Sequence, residues 1–115
     1  MIETTQPSWH FVAELHMIKT AEGGRQTPFL AGGSRYRPQF LTNLSDQSTT
    51  CFVDKVEGRE GLSPGETGTI TARLLRPEFF LDDLKPGKSF ELHEGAQRVG
   101  WGTIKEVGDL SLASK

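Results

Sequence analysis

The tightest constraint on the fold of this chain is a strict two-residue alternation that begins at Trp9. Phe11, Ala13, Leu15 and Met17 fall on one face, and His10, Val12, Glu14, His16 and Ile18 on the other. A helix cannot gather such a pattern onto one side, whereas a strand does so by its geometry. The same signature returns along the chain. Thr50–Val56 is rich in β formers. Thr69–Arg76 turns Ile70, Ala72 and Leu74 to one side, and Ser89–Glu94 does the same with Phe90 and Leu92. Arg98–Val107 forms a last strand that carries Gly100-Trp101-Gly102; glycine inside a strand marks a bend or a close approach. A further strand is expected from near Tyr36 to about Asn43. Turn chemistry separates these runs at Ser63-Pro64-Gly65, Lys85-Pro86-Gly87-Lys88 and Gly95-Ala96-Gln97. Phe79-Phe80-Leu81 is apolar enough to cover one end of the structure. About six strands without a helical stripe predict an all-β domain, a closed antiparallel barrel or a sandwich.

The longest connection is ordered in character. Glu22–Phe40 holds two glycine pairs, Gly23-Gly24 and Gly32-Gly33, around Thr27-Pro28-Phe29, and then Tyr36-Arg37-Pro38-Gln39-Phe40. Glycine pairs permit positive φ and close backbone approach, and each proline holds the residue before it extended. Long structured loops of this kind are commonly functional. Composition agrees with a turn-rich β domain: 13 glycines against a hydrophobic fraction of 35%. The domain is expected over residues 9–108, with 1–8 as a flexible lead-in and 109–115 as a flexible tail.

Charge and motifs narrow the function. A net charge of −2 gives no global attraction to nucleic acid or acidic membranes. No Gly-Lys-Ser/Thr follows either glycine-rich segment, so no phosphate-binding loop is expected. The three histidines and single Cys51 lack metal-ligand spacing. Cys51 in an apolar strand reads as an inert buried thiol rather than a nucleophile. The acidic pairs Asp82-Asp83 and Glu91/Glu94 read as solvated surface. Arg25, Arg35, Arg37 and Arg76 are the candidate anion or partner contacts, since the guanidinium fork suits phosphate and carboxylate; for Arg37 the competing reading is an ion pair that fixes the loop. Trp9 and Trp101 are either core or stacking surfaces. Without a leader-like or membrane-length apolar run, a cytoplasmic protein is expected.

Glu22-Gly23-Gly24-Arg25, Thr27-Pro28-Phe29 and Tyr36-Arg37-Pro38-Gln39-Phe40 together resemble the C-terminal, third domain of bacterial elongation factor Tu. Leu75-Arg76-Pro77 and the ending Phe90, Glu94-Gly95, Val99-Gly100 and Gly102 are similar to the same family, and the likeness runs from about Phe11 to Val107. It implies a six-stranded closed antiparallel barrel. It also implies a surface that helps hold the T-arm of aminoacyl-tRNA, packs on a GTPase domain and contacts an exchange factor. Positions matching the tRNA-contacting set are Arg25, Gln26, Gln39, Arg76, Glu94 and Gly95, with Gln26 where histidine is usual. The sequence departs from the family pattern in several places. Leu41–Ser45 replaces a different segment, Asp82–Gly87 is longer, two residues are added around Gly33-Ser34-Arg35, Ala96-Gln97 replaces Gly-Arg, and Trp101 replaces a small residue.

The expectation is a stand-alone, non-enzymatic binding module without cofactor, nucleotide, metal or membrane. It engages a protein partner, with translation machinery as one source, through Phe29, Arg35, Tyr36 and Arg37; for Phe29 and Tyr36 the competing reading is burial of at least one of them in the core. The alternative is a tRNA-binding module that uses the T-arm-contacting face.

Overall fold

The computed structural model describes residues 9–33 and 35–108. The expected lead-in and tail lie outside the described residues. Six strands close into an antiparallel barrel: β1 (Phe11–Met17), β3 (Gln39–Leu41), β4 (Thr49–Val56), β6 (Thr67–Leu74), β7 (Ser89–Glu94) and β8 (Gln97–Val107). Their order around the barrel is β1-β6-β4-β3-β7-β8, with β8 returning to β1. Among the described residues the only helical pieces are two 3-10 turns, Thr20–Glu22 and Pro77–Phe80. The expected alternation holds: Phe11, Ala13, Leu15 and Met17 all point into the barrel.

The interior is built on aromatic rings. Phe40 lies 5.6 Å from Phe11, 5.1 Å from Phe90 and 5.0 Å from Phe80, so one ring from β3 joins both halves of the barrel. Each such fully buried side chain contributes about 1.5–3 kcal/mol of hydrophobic stabilisation. Phe90 sits opposite Gly102 in the β7–β8 register. A Cβ at Gly102 would lie 2.6 Å from the Phe90 ring and 2.5 Å from the Glu14 carbonyl oxygen. Glycine here therefore makes room for a ring and for the neighbouring strand, while Trp101 between the two glycines is turned outward.

Three differences from the sequence reading have local causes. The strand expected from Tyr36 contracts to Gln39–Leu41. Pro38 has no N–H to give to the ladder; its carbonyl accepts from Cys51 at 2.8 Å and that of Tyr36 from Val53 at 3.3 Å. Two short strands arise inside segments read as loops, β2 (Phe29–Leu30) and β5 (Gly61–Leu62), and they pair with each other. Gly61 permits this approach, because a Cβ there would stand 1.8 Å from the Phe29 carbonyl oxygen. At the barrel end, Phe80 and Leu84 plug the core, while Leu81 stays 53% exposed.

Replacing Gly102 with alanine is expected to destabilise the fold by about 1–3 kcal/mol, the usual cost of overpacking a tight site. Chemical denaturation checks this; an unchanged midpoint would show that the β8 glycine is incidental.

Candidate functional site

The 3-10 turn Thr20–Glu22 ends at Gly23, whose φ of 98° is a left-handed conformation. Gly24 serves a different purpose: its amide donates to the Lys19 carbonyl at 3.0 Å, and a Cβ there would be 2.0 Å from the Ile18 carbonyl oxygen. The glycine pair thus supplies one positive φ and one close approach. Gln97, at the start of β8, donates from Nε2 to the carbonyls of Gly23 and Gly24 at 2.6 and 2.9 Å. The Thr20 hydroxyl donates to the Arg25 carbonyl at 2.6 Å. Together these bonds fix where the Arg25 side chain leaves the backbone.

The Arg25 guanidinium then pairs with Glu94, at the end of β7, and its Nε donates to the Thr27 carbonyl at 3.1 Å. The Tyr36 hydroxyl donates to the same Glu94 oxygen at 2.7 Å. Arg25 also lies over the Tyr36 ring, 5.1 Å from its centre, and that ring stacks on Phe29 at 4.2 Å. One carboxylate therefore ties both ends of the long loop to the β7–β8 hairpin. Hydrogen bonds to a charged group contribute about 1.5–3 kcal/mol each. Burial, followed by the hydrogen bond to Glu94, pushes the Tyr36 phenol well above its ordinary range.

The remaining sequence-predicted residues are scattered. Gly95 is exposed beside the cluster, in the β7–β8 turn. Gln26 is exposed, and Gln39 donates to the Thr50 hydroxyl at 3.3 Å. Arg35 is exposed but turns its guanidinium back to the Ala31 carbonyl. Arg25, Arg35, Phe29 and Tyr36 border a hollow of about 390 Å³. Arg76 is engaged separately, by Glu78 at 2.6 Å and the Phe79 ring at 4.9 Å.

Several expectations need correction. Phe29 and Tyr36 are 2% and 6% exposed, so they belong to the core and cannot serve as surface anchors. Arg37 is exposed and forms no ion pair among the described residues, so it does not fix the loop by pairing with an acid. Glu94 is not free surface but the acceptor that holds the loop. Glu91 likewise is engaged, by His93 at 2.9 Å. Asp83 is 4% exposed and accepts from the Thr42 hydroxyl at 3.0 Å; the 3-10 turn folds it under rather than presenting it to water. Cys51 is buried as expected, and burial pushes its thiol up.

Sequence reasoning missed a second region. Three hollows adjoin through shared residues. One lies between Thr42, Phe90 and Trp101, at about 140 Å³. The next lies between Thr42, Leu44, Asp83 and Lys88, at about 180 Å³. The last lies between Leu44, Phe79, Leu81 and Asp83, at about 540 Å³. Leu44, Leu81 and Trp101, on their rims, are 68%, 53% and 41% exposed. Trp101 stacks on His16 at 4.2 Å, which holds the indole against the barrel wall. Alternation on β8 does place Trp101 outward, but Leu44 and Leu81 lie in irregular segments with no periodicity to read.

Among the described residues, no three His, Cys, Asp or Glu side chains converge as a metal site, and no helix is long and apolar enough to cross a membrane.

Tyr36 is the only tyrosine, so phenolate absorbance reports on it alone. Its raised folded-state pKa means that its contribution to stability is present below the ordinary value of 10 and is lost as pH climbs beyond it. Absorbance is expected to stay flat through pH 10 and to rise only as the β signal in circular dichroism is lost. A midpoint near 10 in folded protein would contradict the buried Tyr36–Glu94 bond.

The fold and the Arg25 loop agree with the family resemblance, and comparison with protein families settles it. A family model described as the elongation factor Tu C-terminal domain matches residues 4–108. That is nearly the whole chain, and the chain therefore belongs to the elongation factor Tu C-terminal domain family.

Proposed function

We propose that this chain is a non-catalytic binding module of the translation-factor type that docks a protein partner through the barrel end formed by Leu44, Leu81 and Trp101. The observation that carries this reading is a convergence. Leu41–Ser45, Asp82–Gly87 and Trp101, three of the segments in which the sequence departs from the family pattern, are far apart in the chain. Members of all three border the adjoining hollows. Three of the five large exposed apolar side chains among the described residues stand there as well. Clustered exposed apolar groups with a polar rim are what protein interfaces use, with aromatic and arginine side chains as anchors. Arg98, beside Trp101, supplies such a rim.

The second reading is RNA binding through the face of Arg25, Gln26, Gly95 and Arg37. Arg37, exposed and without an ion pair among the described residues, favours it. Against it, the Arg25 guanidinium is spent on Glu94 and Thr27, Arg35 turns inward, and Arg76 is held by Glu78. A phosphate would have to displace these internal partners, and the net charge of −2 adds no attraction.

A benzophenone photo-crosslinker placed at Leu44 tests the docking face, with the same group at exposed Leu30, beside the Arg25 hollow, as comparator. In extract of the native host, a discrete protein adduct that survives ribonuclease is expected from position 44 and not from position 30. Adducts from position 30 alone, or from neither, would overturn the docking face.

A further inference from the structure

Asp83 is 4% exposed, and its carboxylate is only half satisfied. One oxygen accepts from Thr42; Oδ1 is buried and has no hydrogen-bond partner among the described residues. Buried carboxylate oxygens are normally paired, because an unpaired one forfeits its hydration. Asp83 is held firmly where it is. Its amide and that of Leu84 both donate to the Phe80 carbonyl at 2.9 Å, and Phe80 is locked edge-on against Phe40 in the barrel core. The fold therefore fixes a carboxylate that is only half satisfied among the described residues, on a residue that borders two hollows.

The larger of these, about 540 Å³, has a distinctive lining: Leu44, Phe79 and Leu81 are apolar, and Glu78, Asp82 and Asp83 are acidic. Among the described residues, no lysine or arginine lines it. Arg76 approaches only from outside, bound to Glu78 and laid over Phe79, and no ion pair to Asp82 or Asp83 occurs among the described residues. Lys88 borders the smaller neighbouring hollow without pairing with Asp83.

We propose that this hollow receives a lysine or arginine side chain from a partner protein. The alkyl stem lies on Leu44, Phe79 and Leu81, and the cationic head supplies the donor that Asp83 Oδ1 lacks, with Asp82 at the rim. Long basic side chains combine an apolar stem with a charged tip in this way. Asp82 and Asp83 repel a nucleic-acid phosphate, Glu78 being already paired with Arg76. A free amine would leave the exposed Leu44 and Leu81 wet, whereas a polypeptide carrying the basic side chain covers them. The inference rests on the docking reading above and identifies the chemistry of its partner.

The test is a nuclear magnetic resonance titration of the isotope-labelled full chain with an acetylated, amidated leucine–arginine–leucine tripeptide. Its neutral twin carries citrulline in place of arginine. Saturable shifts are expected at the amides of Leu44, Leu81 and Asp83, with affinity falling roughly tenfold or more for the citrulline peptide, as befits a lost charged hydrogen bond. Asp83→Asn is expected to lose affinity to a similar degree. Leu81→Ser, an exposed position that the fold does not depend on, is expected to weaken binding several-fold and keeps the test open if the buried variant fails to fold. Equal affinity for the two peptides, shifts centred elsewhere, no saturable shifts, or binding unaltered by Leu81→Ser would each overturn the inference. A ribonuclease-resistant adduct from position 44 together with no peptide binding at Asp83 would overturn this inference and leave the docking reading standing. Loss of the adduct would overturn the docking reading itself.

Discussion

One carboxylate, Glu94, governs the architecture outside the barrel. It accepts from Arg25 near the start of the long loop and from Tyr36 near its end. Loop closure opposes holding some twenty residues in one arrangement, though the opposing entropy grows only slowly with length. Two partly buried, charge-assisted bonds to a single acceptor, reinforced by the stack of Arg25, Tyr36 and Phe29, offset it. Gln97 adds the pin that fixes the Gly23-Gly24 turn. Because Glu94 and Gln97 flank the two-residue turn between β7 and β8, the loop is anchored to a tight hairpin connection.

That internal use of charge shapes what the surface can do. Arg25 and Arg76 would be available to phosphate if they were free, but each is already paired with an acid. The region around Trp101, Leu44 and Leu81 has the opposite character. Its apolar groups are exposed, its 3-10 turn holds Asp83 in place, and Asp82 and Asp83 have no cationic partner among the described residues. A family barrel can thus keep its core and its latched loop while exposed apolar groups gather elsewhere on its surface.

Much of this was legible in the sequence, and the reason is periodicity. Strands with one buried face print their inward residues every second position, so Phe11, Ala13, Leu15, Ile70, Ala72, Phe90 and Leu92 could be assigned before any coordinates. The glycine–proline blocks located the ordered loop. What could not be read was pairing across distance. Nothing local links Arg25 to Glu94, 69 residues away, or Tyr36 to the same group. Tyr36 and Arg37 look alike as interface candidates in sequence, yet the stack on Phe29 and the bond to Glu94 hold Tyr36 inward while Arg37 is exposed. Leu44, Leu81 and Asp83 lie in irregular segments, so their convergence depends wholly on tertiary structure.

If the bonds of the Arg25 cluster serve as a structural latch, they leave no grip for RNA. Titration of the labelled chain with unfractionated tRNA at low ionic strength decides this, by following the Arg25 side-chain Nε–H and the amides of Gln26 and Gly95. For a latch, the Arg25 resonance stays in place and no saturable shifts appear at these residues. Saturable shifts centred on Arg25, Gln26 and Gly95 that weaken steeply as salt is raised would contradict it.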